Sequence, residues 1–323
     1  MLEFPEPPKG YSEIYLEETD KELPAKIDQN TRYAFFQTIA KGGKSLIKSC
    51  KDMHLARVVA YKTLRPECAD DPVEQKRLLR EARVSAMLQH PNTVPTYEVG
   101  RDKRGHYYFT MKLVHGYTLR EVLNYRDRYD LMQLVDVLVQ IGHALAYAHS
   151  HGVAHRDIKP ENILVGPYGE VVLLDWGLAK VWRENGDQAA LTSGETVDRT
   201  AMSNADLSMT GHAQLQGTIC YMSPEQVRND PNISYQTDLY SFGSVLYEIL
   251  TGQTPFVGEK VQAVKAQVLD NTPVQPAQAT TMRVPNLLNQ LAMRCLAKDP
   301  AERGESIVDV VRLLQEDWRN DLR

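Results

Sequence analysis

His155-Arg156-Asp157-Ile158-Lys159-Pro160-Glu161-Asn162, followed thirteen residues after Asn162 by Asp175-Trp176-Gly177, carries the strongest chemical signal in the sequence. Asp157 and Asn162 stand five apart on a short, proline-containing polar stretch, so both polar ends can point the same way. Asp175 closes the apolar run 171–174, where a buried strand would deliver a carboxylate to the same place. Hard oxygen donors from an Asn and an Asp suit Mg²⁺, which keeps water and phosphate oxygens in its other positions. A further Asp held off the metal can accept a hydroxyl proton.

The string resembles the catalytic loop and metal-binding triplet of eukaryotic-like (Hanks-type) serine/threonine protein kinases, and the resemblance extends over residues 32–318. It implies that Asp157 orients the substrate hydroxyl and takes its proton, that Lys159 neutralises the transferring phosphate, and that Asn162 and Asp175 hold magnesium. A Lys two residues after the Asp is the serine/threonine-directed form. Val58-Val59-Ala60-Tyr61-Lys62 resembles the strand whose Lys reaches the α- and β-phosphates, with Glu81 as its partner. Ser223-Pro224-Glu225 stands where the family has Ala-Pro-Glu, Arg303 matches the Arg that pairs with that Glu, and Asp238 matches the Asp supporting the catalytic loop. For adenine, Met111 matches the gatekeeper, Leu113 and Val114 the backbone edge, and Ile39, Ile47, Ala60 and Leu164 the apolar walls such a ring needs. Glu161 is counted with the nucleotide-binding residues.

The implied fold is α+β and two-lobed: a small β-rich lobe with one main helix (31–111), a hinge (112–116) and a larger helical lobe (117–318). Residues 1–30 lead in and 319–323 form a tail. The implied activity is transfer of the ATP γ-phosphate to Ser and Thr hydroxyls of proteins, with Mg²⁺, or Mn²⁺ as the alternative ion. The texture of "GVAHRDIKPENILV" and "GTICYMSPEQ" is that of the bacterial members. Periodicity places strands at 33–39, 46–51, 56–64, 93–99 and 107–114. Helices are expected at 72–89, 118–123, 131–150, 237–250, 260–269, 285–296 and 306–318.

Residues 40–50, "AKGGKSLIKSC", admit two phosphate-binding parses and a third, a glycine turn between two strands that binds nothing. A Walker phosphate loop would need a Gly five residues before Gly43, where Thr38 stands, and a helix after it, where strand-like sequence follows. The glycine-rich loop of the kinases fits, with Lys62 fifteen residues beyond Ile47. Gly42 and Gly43 survive at its tip, while Ala40 and Ser45 replace two glycines. Glycine tolerates positive φ and close approach to phosphate, so these losses predict weaker or slower nucleotide handling. Trp176 replaces the usual Phe of the metal triplet.

Arg156, before the catalytic Asp, marks kinases that couple activity to a phosphate on the activation segment. That segment carries Thr192, Ser193, Thr196, Thr200, Ser203, Ser208 and Thr210, and a phosphate there would pair with Arg156 and order the loop. A solvated polar insert is the competing reading of the same stretch.

Composition narrows the classes. Hydrophobic residues make up 42% and charged ones 24%, values of a globular protein. The net charge of −5 gives no basic field for nucleic acid or anionic lipid. Four separated cysteines, none in a CxxC pair, fit reduced thiols and a cytoplasmic location. No uninterrupted apolar run is long enough for a membrane helix, and 131–149, interrupted by Gln133, Asp136, Gln140 and His143, reads as a buried amphipathic helix. Two other functions compete: a pseudokinase scaffold, on the strength of the worn glycine loop, and a small-molecule kinase of the aminoglycoside type. The Lys159 loop and the Ser-Pro-Glu with Arg303 count against the second. Neither physiological substrate nor oligomeric state is legible.

Overall fold

The computed structural model describes Glu22, residues 29–182, residues 218–316 and Trp318. The chain divides into two compact units. One comprises the described residues of Pro5–Gln89 with Thr93–Gly116; the other comprises those of Tyr117–Arg323 with His90–Asn92.

The first unit is an antiparallel five-stranded sheet with one long helix. Strands β1 (Tyr33–Lys41), β2 (Ser45–Asp52), β3 (Arg57–Leu64), β4 (Thr96–Arg101) and β5 (Tyr107–Lys112) lie in the order β1-β2-β3-β5-β4. Strand β4 starts later than the apolar pattern suggests, at the residue after Pro95, which has no N–H for a ladder. Helix α1 (Pro72–Met87) begins at Asp71, whose side chain accepts from the Val73 N–H, with Pro72 preset for the first turn. Its apolar stripe buries Leu78 and Ala82 against Leu64, Cys68 and Phe109. On other residues of the sheet, Tyr33, Cys50, Val59, Tyr61 and Tyr108 form a second cluster, with Tyr61 and Tyr108 stacked at 4.4 Å between ring centroids.

The second unit is mainly helical. Strand β6 (Tyr117–Thr118) leads into α2 (Leu119–Leu123), and α3 (Leu131–Ser150) follows. Both helices start with a capping box: Thr118 with Glu121, and Asp130 with Gln133. The short strands β7 (Val153–Ala154), β8 (Ile163–Val165), β9 (Val171–Leu173) and β10 (Lys180–Val181) form a β6-β8-β9 sheet and a β10-β7 pair. Then come α4 (Pro224–Val227), α5 (Gln236–Thr251), α6 (Val261–Asp270), α7 (Pro276–Ala279), α8 (Asn286–Cys295) and α9 (Ile307–Gln315).

Helix α3 is long and apolar enough to cross a membrane by length and composition, but its buried face (Leu134, Leu138, Ile141, Leu145, Ala148) makes it a core helix of this unit. Helix α5 is buried along nearly its whole length, as a central helix must be, and ends at Gly252 in the left-handed conformation. Two glycines permit the closest helix approaches. A Cβ on Gly142 would lie 2.2 Å from Val311 Cγ2 of α9, and one on Gly243 would lie 2.4 Å from Cys295 Cβ of α8. Each close approach excludes a larger residue unless the facing side chain or helix shifts.

Candidate active site

In the first unit, register decides which side chains share a face. Ile47 and Phe109 flank Lys62, and Ser49 and Met111 flank Ala60, on neighbouring strands. Lys62 and Ala60 are two apart, so Ile47, Ala60, Lys62 and Met111 all fall on one face. Phe109 and Met111 identify it as the face that packs on α1. There Lys62 Nζ donates to Glu81 Oε1 at 2.6 Å, with both side chains about nine-tenths buried. A charge-assisted pair this short fixes the ammonium on a rigid strand instead of leaving it on a flexible stem. Leu113 and Val114, just past β5, are half-buried; Lys112 faces outward.

The turn between β1 and β2 revises the reading of the glycine loop. Ala40 sits in β1 opposite Ile47, and Ser45 opens β2 opposite Leu64; neither has a positive φ. The two replaced glycines therefore occupy positions that an L-residue fills without strain. Gly42 closes the turn: its N–H donates to the Ser45 carbonyl at 2.9 Å, its φ is not positive, and a Cβ there would meet the rotatable Ser45 Oγ at 3.0 Å. Ile39 lies at an irregularity in the β1–β2 register and is about half exposed.

In the second unit, the loop after β7 brings Asp157, Lys159 and Asn162 together. Lys159 Nζ donates to both Asp157 oxygens, at 2.9 and 2.8 Å. Asn162 Nδ2 donates to Asp157 Oδ2 at 2.9 Å and to the Asp157 carbonyl at 2.8 Å. Burial would lower the Lys159 pKa, yet the Asp157 carboxylate, with Asp175 and Glu161 farther off, holds the ammonium above the ordinary lysine range. Lys159 is therefore a cation at any physiological pH. The Leu174 N–H donates to the Asn162 carbonyl at 2.8 Å, which sets Asp175 beside this loop. Asp175 is exposed at φ 60°, and its Oδ1 accepts from the Gly177 N–H. Arg156 has φ 71°. A non-glycine residue in this region costs roughly 1–3 kcal/mol and persists where the surroundings over-determine it.

Those surroundings are visible. Asp238, fully buried on α5, accepts from the backbone N–H groups of His155 and Arg156 and pairs with His149 Nε2, all at 2.8 Å. Gln226 Nε2 donates to the Arg156 carbonyl at 2.7 Å. His155 takes the Asp157 N–H on Nδ1, so its Nε2 carries the proton that goes to the Leu174 carbonyl at 2.9 Å. Trp176 is buried edge-on against that imidazole, 4.5 Å between ring centroids, and its indole N–H has no acceptor among the described residues. Leu164, two residues past Asn162, lies on β8 and is partly buried.

Sequence reasoning missed Arg120. On α2 it reaches Glu161 (Nε to Oε1, 2.8 Å), Glu248 of α5 and the Tyr221 hydroxyl, joining the catalytic loop to the segment before Ser223-Pro224-Glu225. The Glu161 carboxylate is thus engaged by a guanidinium. The capping box announced the helix start, but nothing in a five-residue helix announced this partner. Candidate regulatory residues Thr192, Ser193, Thr196, Thr200, Ser203, Ser208 and Thr210 lie outside the described residues.

The Asp238 clamp has a pH signature. Burial alone would raise this carboxyl, but the bond to His149 and the two backbone donors hold it below the usual range. A carboxyl with a depressed folded pKa contributes stability above its unfolded pKa, near 4, and loses it as pH falls through the folded value. Asp238→Asn removes one acceptor and places an NH₂ against one of the two backbone donors, an expected loss of about 2–4 kcal/mol at pH 7. Melting curves at a series of pH values should show this gap narrowing only below about pH 4; a gap constant with pH would contradict the assignment.

A lysine fixed by a helix glutamate in one unit, and an aspartate framed by a lysine and an asparagine on a strained, internally clamped loop in the other, are the two residue sets that the kinase resemblance implies. The protein kinase domain matches residues 33–318, and the chain belongs to that family. Serine/threonine-protein kinase PknD of Protochlamydia amoebophila is 33% identical over 297 residues, covering 88% of this chain and 30% of that protein. Serine/threonine-protein kinase PknB of Mycolicibacterium smegmatis is 32% identical over 282 residues, covering 86% and 42% respectively. A probable serine/threonine-protein kinase of Streptomyces coelicolor is 34% identical over 278 residues, covering 85% and 38%. The chain thus spans between 30% and 42% of the length of these relatives.

Proposed function

We propose that the chain is the catalytic domain of a serine/threonine protein kinase that moves the ATP γ-phosphate onto Ser and Thr hydroxyls of protein substrates. The observation that carries this reading is the Asp157 carboxylate, held by Lys159 and Asn162 on a loop whose backbone is pinned by Asp238. As the hydroxyl oxygen bonds to the γ-phosphorus and the bridge to the β-phosphate breaks, the hydroxyl proton passes to Asp157. Lys159 keeps a cation beside the oxygens that gain charge. Lys62, steadied by Glu81, presents its ammonium to the α- and β-phosphates.

Asn162 and Asp175 offer hard oxygens from adjacent backbone positions, and no cluster of three or more His, Cys, Asp or Glu residues suited to a metal exists among the described residues. That donor set fits Mg²⁺, and Mn²⁺ after it, which take few protein ligands and complete their shell with water and phosphate. Bound there, the ion would neutralise phosphate charge. All four cysteines are buried and none is in a disulfide, which supports a reducing, cytoplasmic setting.

The test is transfer of labelled γ-phosphate to the protein itself and to a generic basic acceptor, with sites read by mass spectrometry. Phosphate on Ser and Thr is expected, with sites inside 192–210 supporting the paired role of Arg156. Wild-type protein that binds nucleotide and transfers nothing would establish the scaffold reading.

A further inference from the structure

The phosphate loop of the first unit is tied to the helix that carries Glu81, and the tie does not use glycine. Lys44, next after the two tip glycines, donates from Nζ to Glu74 Oε1 at 2.8 Å. Glu74 lies in the first turn of α1, is itself buried, and also accepts from Arg77 Nη1 at 2.9 Å. Arg65 adds two further holds: its N–H donates to the Lys44 carbonyl at 2.8 Å, and its Nη1 reaches the Gly43 carbonyl at 3.4 Å. Glu74 and Glu81 are seven residues apart, two helical turns, and so share one stripe of α1. Lys44 stands just before β2, and Lys62 stands on β3 opposite Ile47. Two lysines from the β2–β3 pair therefore dock on two glutamates of one helix, 2.8 and 2.6 Å long.

We infer that Glu74 is a positioning residue for nucleotide: its ion pair with Lys44 latches the phosphate loop to the helix that sets Lys62. This inference rests on the kinase reading. The chemistry explains how a loop with Ala40 and Ser45 in place of glycines keeps a defined place. Backbone amides act as a phosphate cradle only if the turn is held still, because ordering it on binding costs conformational entropy. A latch of two partly shielded charges supplies that order beforehand. Lys44 is thereby assigned a structural partner rather than a phosphate.

Two single variants and one charge exchange test it. Lys44→Met keeps the length of the stem and removes the charge; Glu74→Gln keeps the shape and removes the charge from the other side. Each is expected to weaken binding of ATP with Mg²⁺, read by calorimetry, by about tenfold, a modest free-energy change. The KM for ATP should rise in parallel, with the turnover of a protein acceptor at saturating ATP nearly unchanged. Lys44→Glu combined with Glu74→Lys, both in an Arg77→Gln background that removes the cation facing position 74, should recover most of the affinity of Arg77→Gln alone, because the pair re-forms with its ends exchanged. If Lys44 touched phosphate directly, Glu74→Gln would leave affinity unchanged or improve it, and the exchanged pair would bind worst of all; either result overturns the latch. Calorimetry separates this from the kinase reading: a wild-type protein that binds ATP but transfers nothing refutes the activity while the affinity series still decides the latch.

Discussion

Asp157→Asn is expected to lower the rate of phosphate transfer by about 10²–10⁴ while leaving the affinity for ATP within about twofold of wild type. The substitution is nearly isosteric, and the Asn carbonyl can still accept from Lys159. What is lost is the ability to accept a proton, since an amide is not a base. Lys62 and Glu81 lie in the other unit and keep their 2.6 Å pair, so the residues assigned to nucleotide there are unaltered. The loop should keep its shape, because its backbone is fixed by Asp238 and by Gln226, not by the Asp157 side chain. Steady-state kinetics at saturating ATP, with a melting curve to confirm folding, would check the split. Retention of more than about a tenth of wild-type turnover would remove Asp157 from the proton-accepting role.

Much of this site was legible because its chemistry sits in short contiguous strings. Asp157, Lys159 and Asn162 span six positions, and their mutual bonds follow once the loop turns at Pro160. The helices were legible for a different reason: α3 and α5 have apolar runs long enough to set a period, α3 starts on a capping box, and α5 stops at Gly252. What stayed hidden depends on two distant residues meeting at a single atom pair. Arg120 meets Glu248 across 128 positions, and Lys44 meets Glu74 across thirty, and either cation read alone is an ordinary surface side chain. The glycine loop shows the same limit. Glycine counts suggest positive φ, yet none of Ala40, Gly42, Gly43 and Ser45 has one, and Ala40 and Ser45 stand on strand positions. The other use of glycine, close approach of backbone to phosphate, is not decided by torsion angles.

Arg303→Ala is expected to cost about 3–5 kcal/mol. The guanidinium is fully buried, and all five of its N–H groups are used. Nη1 donates to Glu225 Oε1 at 2.5 Å and to the Gln236 carbonyl at 2.9 Å. Nη2 donates to Glu225 Oε2 at 2.8 Å and to the Lys298 carbonyl at 3.2 Å, while Nε donates to the Ala297 carbonyl at 2.9 Å. Alanine leaves a buried carboxylate and three backbone acceptors without this donor, and a stranded buried charge is costlier than a missing bond. For a domain of this size the melting temperature should fall by roughly 10 °C. Arg303→Lys should recover little, since an ammonium has three donors and no planar fork to match Glu225. Arg303→Met with Glu225→Leu should recover more, because it removes the stranded charge although the three carbonyls stay unmatched. Circular dichroism melts of the four proteins order these outcomes. A fall below about 2 °C for Arg303→Ala would mean that water or a neighbouring cation replaces the guanidinium at low cost. The ranking of the double variant above Arg303→Ala is the sharper test, because only a buried-charge penalty makes losing both partners cheaper than losing one.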